Sequence, residues 1–526
     1  MPLAHSWSVA LVGLDGHLVE VEADIASGLP KTTLIGLPDT SLSEARDRVR
    51  AAVVNSGEKF PDRKVTIGLS PATLPKTGSH YDVAIACALL AAAGAVEGRH
   101  LRQAAIIGEL GLDGRVREVR GTLAMTLAAA RSGLARIVVP ELNAGEAGLV
   151  PGIEVYGVRS LRQVLAILRG TEIPDEEPPR AEPRLMSESL ARRIPEVDLS
   201  EVIGQKEGRR AIEAAAAGGH HLYLHGPPGA GKTMLAERLA GLMPDLSTDD
   251  SLEVSAVHSL AGLLTGEAEL VTRPPFIAPH HTASLASLVG GGSGMPRPGA
   301  ISCAHRGILF IDEAPEMHPL TLDTLRQPLE SGLIEVHRAA AVAKFPARFL
   351  LVLAANPCPC GQADTPHGIC NCSPPVVTRY KQRISGPIKD RIDIQRHILQ
   401  APRGDGEDDN RESTATVAAR VAAARDRQTF RYRDTPWALN SDVPGPVLRR
   451  DHPLDTACQK FLDDRYTDGQ LTARGLDRVV RLAWTLADLD GLDQPTKELA
   501  NEAYQLRSGA PLTRLANARS IRNDAA

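Results

Sequence analysis

The sequence predicts an α/β P-loop domain with a helical C-terminal lid, preceded by an α+β domain. Three observations carry this. First, G-x-x-x-x-G-K-T occurs as Gly226, Pro227, Pro228, Gly229, Ala230, Gly231, Lys232 and Thr233. It lies between an apolar run, Leu222 to Leu224, and Leu235, Leu239 and Leu242 at helical spacing, the strand–loop–helix context that gives the motif meaning. Second, the short apolar run Ile308 to Ile311 ends on two acids, Asp312 and Glu313, as a buried strand of a parallel sheet does at its ligand-binding end. Third, residues 1–168 alternate strand-like and helix-like segments and carry an Asp-Gly turn at Asp113 and Gly114.

The chemistry expected of the loop is anion binding. Glycines let backbone N–H groups close around phosphate, and a helix N-terminus adds a favourable dipole. Lys232 would reach the β- and γ-phosphates of ATP, and the Thr233 hydroxyl would hold Mg²⁺. Asp312 would bind the same Mg²⁺ through water, and Glu313 would orient and activate the attacking water. The next apolar strand, RFLLVLAANP, ends on Asn356, a polar residue able to hold that water or sense the γ-phosphate.

Composition bounds the rest. A net charge of −5 excludes a uniformly basic nucleic-acid coat while allowing a local basic channel. Aromatics are only 3% of residues and alanine is abundant, which favours helices packed through small side chains. The longest apolar run, Val83 to Val96, is shorter than the ~18 residues of a membrane span, so it reads as a buried helix. No secretory pattern opens the sequence, and seven cysteines, an odd number, fit a reducing compartment. The expectation is a cytoplasmic protein with no membrane partner.

In chain order, WSVALVGL, HLVEVEADI and KVTIGLS read as strands. SLSEARDRVRAAVVNSG reads as a helix with Ser41 or Ser43 near its N-cap. A helix at 82–94, a strand pair around AAIIGELGLDGRVREV, a helix at 121–133 and a strand ARIVVP complete this unit. The phrases PKTGSHYDVAIACALLAAAG, GELGLDGRV and LAAARSGLARIVVPELN resemble the proteolytic domain of Lon proteases. That chemistry needs a serine nucleophile and a lysine base. Ser79 lies near the nucleophile position, but His80 and Tyr81 follow it instead of small residues, and Leu123 stands about where the lysine would be. The resemblance therefore implies a non-catalytic Lon-protease-like fold.

Residues 169–198, rich in Pro and charge, read as a linker. The second domain spans 199–400. Its opening Ile203, Gly204 and Gln205 resemble the segment near adenine in AAA+ ATPases. KQRISGPIKDRIDI resembles the segment carrying the arginine finger in the magnesium-chelatase branch of that class. Arg391 is the finger candidate, reaching into a neighbouring subunit's site, and Arg383 is a weaker one. A surface ion pair of Arg391 with Asp390 or Asp393 is the plain alternative. An acidic loop and a connecting helix follow at 401–435, a helical lid at 436–510 and a tail at 511–526. Arg474, near the start of LTARGLDRVVRLAWTLADLDG, matches the second sensor arginine that contacts γ-phosphate from the lid.

Two insertions and a cysteine cluster stand apart. TRPPFIAPHHTASLASLVGGGSGMPRPGAIS is rich in Gly, Pro and His, reads as too irregular for a core, and is long enough to be functional. His280 and His281 are weak metal candidates, since adjacent side chains diverge. LIEVHRAAAVAKFPARF looks like a hairpin with His337, Arg338, Lys344 and Arg348. With Arg273 and Arg297 these could line a ring's pore and engage the phosphates of DNA; a solvated hairpin is the bland reading. Cys358, Cys360, Cys370 and Cys372 form C-P-C-G-x8-C-N-C, a spacing that could make a tetrahedral structural Zn²⁺ site, with His367 as a substitute ligand.

Taken together, GLPDTSLSEARDRVRAA, GPPGAGKT, APHHTASLASLVGGG, GILFIDEAPE, NPCPCG and ISGPIKDRID resemble the ComM/YifB family, often labelled magnesium-chelatase-like. The resemblance covers nearly the whole chain. It implies an AAA+ α/β domain with a helical lid and a Lon-like N-terminal domain. It also implies a hexameric motor that hydrolyses ATP with Mg²⁺ and drives branch migration on single-stranded or branched DNA during recombination in natural transformation. Ile277 and Ala300 depart from an Arg and a Glu expected in the DNA-facing insertion, and Ala314 replaces a Leu beside Glu313. The competing readings are a protein-remodelling or metal-chelatase-type motor subunit, and a pure scaffold.

Overall fold

The computed structural model describes residues 3–36, 42, 44–179, 197–264, 269–292, 296–337, 342–363, 369–399 and 411–513. Ser41, Ser43, Arg338, His367, most of the linker, the acidic stretch 400–410 and the tail beyond 513 lie outside the described residues.

The first unit is a mixed seven-stranded sheet. Its strands are β1 (Leu3–Val12), β2 (Asp15–Ala26), β3 (Lys31–Ile35), β4 (Lys64–Ser70), β5 (Ala104–Ile106), β8 (Arg136–Pro140) and β9 (Glu154–Val158), in the order β3-β4-β2-β1-β5-β8-β9. A small hairpin, β6 (Glu109–Leu110) and β7 (Val116–Arg117), turns at the expected Asp-Gly. β1 and β2 pair antiparallel from Leu3↔Asp24 to Val12↔Asp15, and β2 alternates buried and half-buried residues, as a strand with one well-covered face does. The apolar run read as a buried helix is one: Asp82–Ala92 is sealed over nearly its whole length. It covers one face of the sheet together with Ala45–Asn55, while Thr122–Arg131 covers the other. β3, β9 and the helices Glu141–Ala147 and Leu161–Arg169 were not anticipated from the sequence.

The second unit is a five-stranded, all-parallel sheet with order β11-β14-β17-β10-β18. These strands are β10 (Leu222–His225), β11 (Phe276–Ile277), β14 (Ile308–Ile311), β17 (Leu350–Ala355) and β18 (Ile394–His397). Two hairpins project from it: β12 (Gly290–Gly291) with β13 (Arg297–Pro298), and β15 (Leu333–His337) with β16 (Val342–Pro346), the latter as read from the sequence. The helix Lys206–Gly218 buries mostly alanine and glycine, with Ala214 to Ala217 sealed. Helices Thr414–Tyr432 and Ala473–Leu489 of the C-terminal unit close on it, so that unit and the sheet share one core. Small side chains permit that close approach.

The first insertion corrects an expectation. Rather than lying outside the core, it supplies β11 to the central sheet. Ile277 and Ala300 are fully buried, so neither occupies a DNA-facing surface. Ala314 is likewise sealed.

The two units are joined by one apolar cluster. Leu123, Ala128 and Val9 of the first pack in a common core with Val257 and Leu260 from helix Thr248–Ala261 of the second. Glu146 accepts the Leu123 N–H (2.8 Å) within the first unit and the Ser259 hydroxyl across this boundary. Burial raises its pKa, with Ser259 opposing the shift. At Gly13, in the turn after β1 with φ +67°, an added Cβ would stand 2.3 Å from the Lys344 carbonyl oxygen. The first unit thus abuts the middle of β16, where Lys344 pairs with Glu335 in the hairpin. No helix among the described residues is long and apolar enough to cross a membrane.

Candidate active site

Parallel register assembles the site. β10 pairs with β17 so that His225 stands opposite Ala355, and β17 pairs with β14 so that Ile311 stands opposite Leu353. The residues that follow each strand, Gly226, Asn356 and Asp312–Glu313, therefore emerge side by side at the carboxyl edge, where open α/β sheets bind ligands. Gly231, with φ +93°, turns the loop into helix Lys232–Leu242, a conformation that costs glycine least.

The loop's charges are already organised. The Lys232 ammonium donates to the Gly226 (2.7 Å) and Pro227 (2.9 Å) carbonyls and to Asn356 Oδ1 (3.1 Å). Burial lowers its pKa, against the pull of Asp312 and Glu313. The Thr233 hydroxyl donates to Asp312 Oδ2 (2.9 Å), and Asp312 Oδ1 accepts the Glu313 N–H (2.9 Å). Glu313 sits at φ +49°, in the sparsely populated left-handed region. Its Oε2 lies 3.3 Å from His281 Nδ1, so this histidine, read from the sequence only as a weak metal candidate, faces the acid instead. Gln205 donates to the Ala230 carbonyl of the loop (3.0 Å), and nearby Ile203 keeps 47% of its surface exposed, an apolar face available to a base.

The two arginines lie elsewhere. β18 pairs with β10 from Ile394↔Leu222, so helix Gly386–Arg391 meets the sheet at the end where β10 begins, opposite the end at which the P-loop leaves. Arg391 is held there by the Glu330 carboxylate and by the Pro387 carbonyl (2.7 Å), with its side chain 12% exposed. Burial, then Arg474, Arg478 and Arg326, lower its pKa. Its carboxylate partner is Glu330 rather than the adjacent aspartates. Asp390 takes Arg474 (3.3 Å) and Asp393 takes Arg478 (2.5 Å). Asp393 is fully buried, which alone would raise its pKa, but Arg478 and His220 hold its carboxyl well below the usual range. Arg474 thus stands beside Arg391, and neither joins Lys232 within one chain. Arg383 donates to the Pro315 carbonyl (3.0 Å) and Glu316 (3.2 Å), just beyond the acidic strand.

The four cysteines converge. Sγ separations are 3.3 Å (Cys358–Cys360), 3.7 Å (Cys358–Cys370) and 3.6 Å (Cys360–Cys370), and all four sulfurs lie within 4.8 Å of one another. Zn–S bonds of about 2.3 Å in a tetrahedron require S···S edges of about 3.8 Å, so the cluster fits a metal with little movement. It could hold one. The cysteine loop also touches the P-loop: a Cβ on Gly361 would stand 2.6 Å from Pro228 Cγ.

The residues read as pore candidates, Arg273, Arg297, His337, Lys344 and Arg348, are all exposed, and Lys344 pairs with Glu335 (3.2 Å). In the first unit, Ser79 donates to the Glu109 carboxylate and Leu123 is sealed in the core. His80 is 5% exposed and bonded to the Val9 carbonyl (2.9 Å), while Tyr81 is fully buried.

A parallel sheet of this order with a P-loop, an acid pair and a polar asparagine at its carboxyl edge, closed by a helical C-terminal unit, defines an AAA+ ATPase core. Family models described as "Magnesium chelatase, subunit ChlI", "Subunit ChlI of Mg-chelatase" and "Magnesium chelatase, subunit ChlI C-terminal" match residues 198–405, 21–143 and 411–507. An uncharacterized protein of Mycobacterium tuberculosis (strain H37Rv) is 51% identical, covering 94% of this chain and 96% of its own. YifB of Escherichia coli (strain K12) is 41% identical (95% and 96%), and "Competence protein ComM" of Haemophilus influenzae is 39% identical (97% and 98%). The chain belongs to the ComM/YifB family of magnesium-chelatase-like proteins. A shorter likeness, 29% over 150 residues, links it to Lon protease 2 of Bacillus subtilis. Membership in this AAA+ family implies ATP hydrolysis with Mg²⁺.

Proposed function

We propose that this chain is one subunit of a ring-forming AAA+ motor, a hexamer, that hydrolyses ATP between neighbours and moves single-stranded or branched DNA. The observation that carries the reading is the separation of the catalytic set. Lys232, Thr233, Asp312, Glu313 and Asn356 gather at one end of the sheet, while Arg391 and Arg474 gather at the other. A site split in this way is completed when the arginine end of one subunit meets the P-loop end of the next, a head-to-tail contact that closes into a ring. Thr233 and Asp312 would hold Mg²⁺, which supplies charge neutralisation on the phosphates. Glu313 would take the proton of the attacking water, Asn356 would orient that water, and Arg391 and Arg474 would stabilise developing charge.

DNA as the polymer is supported by the name of the Haemophilus relative, a competence protein, and by the exposed basic residues on both insertions. Single-stranded or branched DNA is expected to stimulate hydrolysis at low salt. The apparent affinity should fall steeply as salt rises, because each phosphate contact releases counterions. Unstimulated turnover with either DNA would move the assignment to the second reading, a protein-remodelling or chelatase-type motor, which the names of the family models favour.

The Lon-like unit is read as non-catalytic, because buried His80 and Tyr81 occupy the nucleophile turn and Leu123 the base position. Unfolded casein with ATP is expected to survive intact; cleavage abolished by Ser79→Ala would reverse that.

The cysteines would hold a structural Zn²⁺, pinning the loop that follows Asn356 and backs the P-loop. Elemental analysis is expected to find about one zinc per chain, the capacity of a single four-thiolate site, lost in Cys358→Ser. Metal-free wild-type protein would end the assignment. The reading is compatible with the cytoplasm as the protein's place of action.

A further inference from the structure

The cysteine loop is tied to the nucleotide site at both of its ends. Cys358 comes just after Asn356, whose Oδ1 accepts from the Lys232 ammonium at 3.1 Å. Gly361, next to Cys360, turns at φ +77° with its N–H donating to the Cys358 carbonyl (3.0 Å). It lies so close to the P-loop that an added Cβ would stand 2.6 Å from Pro228 Cγ. The adjacent Pro227 carbonyl accepts from Lys232 as well (2.9 Å). On the other side, Cys372 leads into helix Pro374–Gln382, after which Arg383 donates to the Pro315 carbonyl beyond the acidic strand (3.0 Å). The four sulfurs differ in access. Cys358 is buried, whereas Cys360 is exposed, and its sulfur lies 3.6 Å from that of half-buried Cys370. The other three cysteines, Cys87, Cys303 and Cys458, are all buried.

We propose that Cys360 and Cys370 form a peroxide-reactive site whose oxidation expels the zinc and loosens the P-loop. This rests on the zinc and ATP readings given above. The Cys360 thiolate attacks one oxygen of hydrogen peroxide. The O–O bond breaks, hydroxide leaves and is protonated to water, and Cys360 is left as a sulfenic acid. The Cys370 thiolate attacks that sulfur, the S–O bond breaks, and a second hydroxide leaves and becomes water. Two thiolates have supplied two electrons, a disulfide stands in their place, and Zn²⁺ keeps too few thiolates to stay bound. A disulfide holds its sulfurs about 2.05 Å apart, so this pair must close from 3.6 Å. Gly361 moves with Cys360, and its fit against Pro228 is lost. The Pro227 carbonyl and Asn356, which hold Lys232, are released from their support, and ATP affinity falls.

The test titrates zinc-loaded, full-length protein with hydrogen peroxide. A chromogenic chelator reads released zinc, and a fluorescent ATP analogue reads binding in parallel. About one zinc per chain should be released. The Kd for the analogue should rise about ten-fold, the worth of one hydrogen bond to a charged group. Dithiothreitol with Zn²⁺ should restore both, and peptide mapping should find the disulfide between Cys360 and Cys370. In Cys360→Ser, peroxide should leave the Kd where it stood before treatment. Zinc held throughout the titration, a Kd unchanged after the zinc has left, a disulfide between any other pair, or loss of affinity on treating Cys360→Ser would overturn the inference. Failure of the parent readings looks different: the purified protein would hold no zinc, or the reduced protein would not bind the analogue before any peroxide is added.

Discussion

Glu313→Gln is expected to bind ATP as wild type does and to lower kcat by about 10²–10⁴-fold, the usual worth of a positioned general base. The amide keeps the shape of the side chain and leaves intact the Thr233–Asp312 contact and the Lys232 ammonium, which in the proposed reading carry nucleotide and Mg²⁺ binding. It removes the carboxylate that would accept the proton and alters its contact with His281. Binding of a fluorescent ATP analogue together with phosphate release separates the two properties. Hydrolysis within ten-fold of wild type would mean that another residue activates the water, and Asn356, whose amide meets Lys232 rather than a base, could not do so.

Arg391→Ala is expected to cut kcat by about 10³-fold or more, as arginine fingers do when removed. The decisive result is complementation. Lys232→Ala should be inactive because the phosphates lose their principal cation. Mixing the two inactive proteins in equal amounts should restore activity at about a quarter of the interfaces, those pairing an intact P-loop with a neighbour's intact Arg391. This follows from geometry: Arg391 meets the sheet where β10 begins, whereas the P-loop departs from the other end of the same strand. To act, Arg391 must exchange Glu330 for phosphate, so Glu330→Ala should leave the finger more mobile. Rings shown to contain both variants yet as inactive as either alone would refute the trans arrangement.

Much of the site was legible because its parts are local. The P-loop lies within eight consecutive residues, Asp312 and Glu313 end an apolar run, and Asn356 ends another. Each is a strand followed at once by its candidate residue, so reading the strands located the side chains that the structure brings together. The cysteine spacing was legible for the same reason: two close pairs on one loop need only a short closure to meet. The first insertion misled because its glycines and prolines mask a two-residue strand, Phe276–Ile277, too short to show a period. The helix Leu161–Arg169 was missed although Ser160 caps it and Gly170 ends it in the left-handed conformation.

By itself the sequence pointed to the kind of chemistry: a candidate phosphate-binding loop, candidate metal- and water-binding acids and candidate arginines, each set by a few neighbouring side chains. Only the tertiary structure decided which of these share a site. Parallel strand register joins Gly226, Asp312 and Asn356, sends Arg391 and Arg474 to the far edge, brings His281 to Glu313, and packs the first unit against the second through Glu146 and Ser259. Those pairings link residues far apart in the chain. Their partners are chosen by how whole apolar faces fit together, which no local pattern encodes.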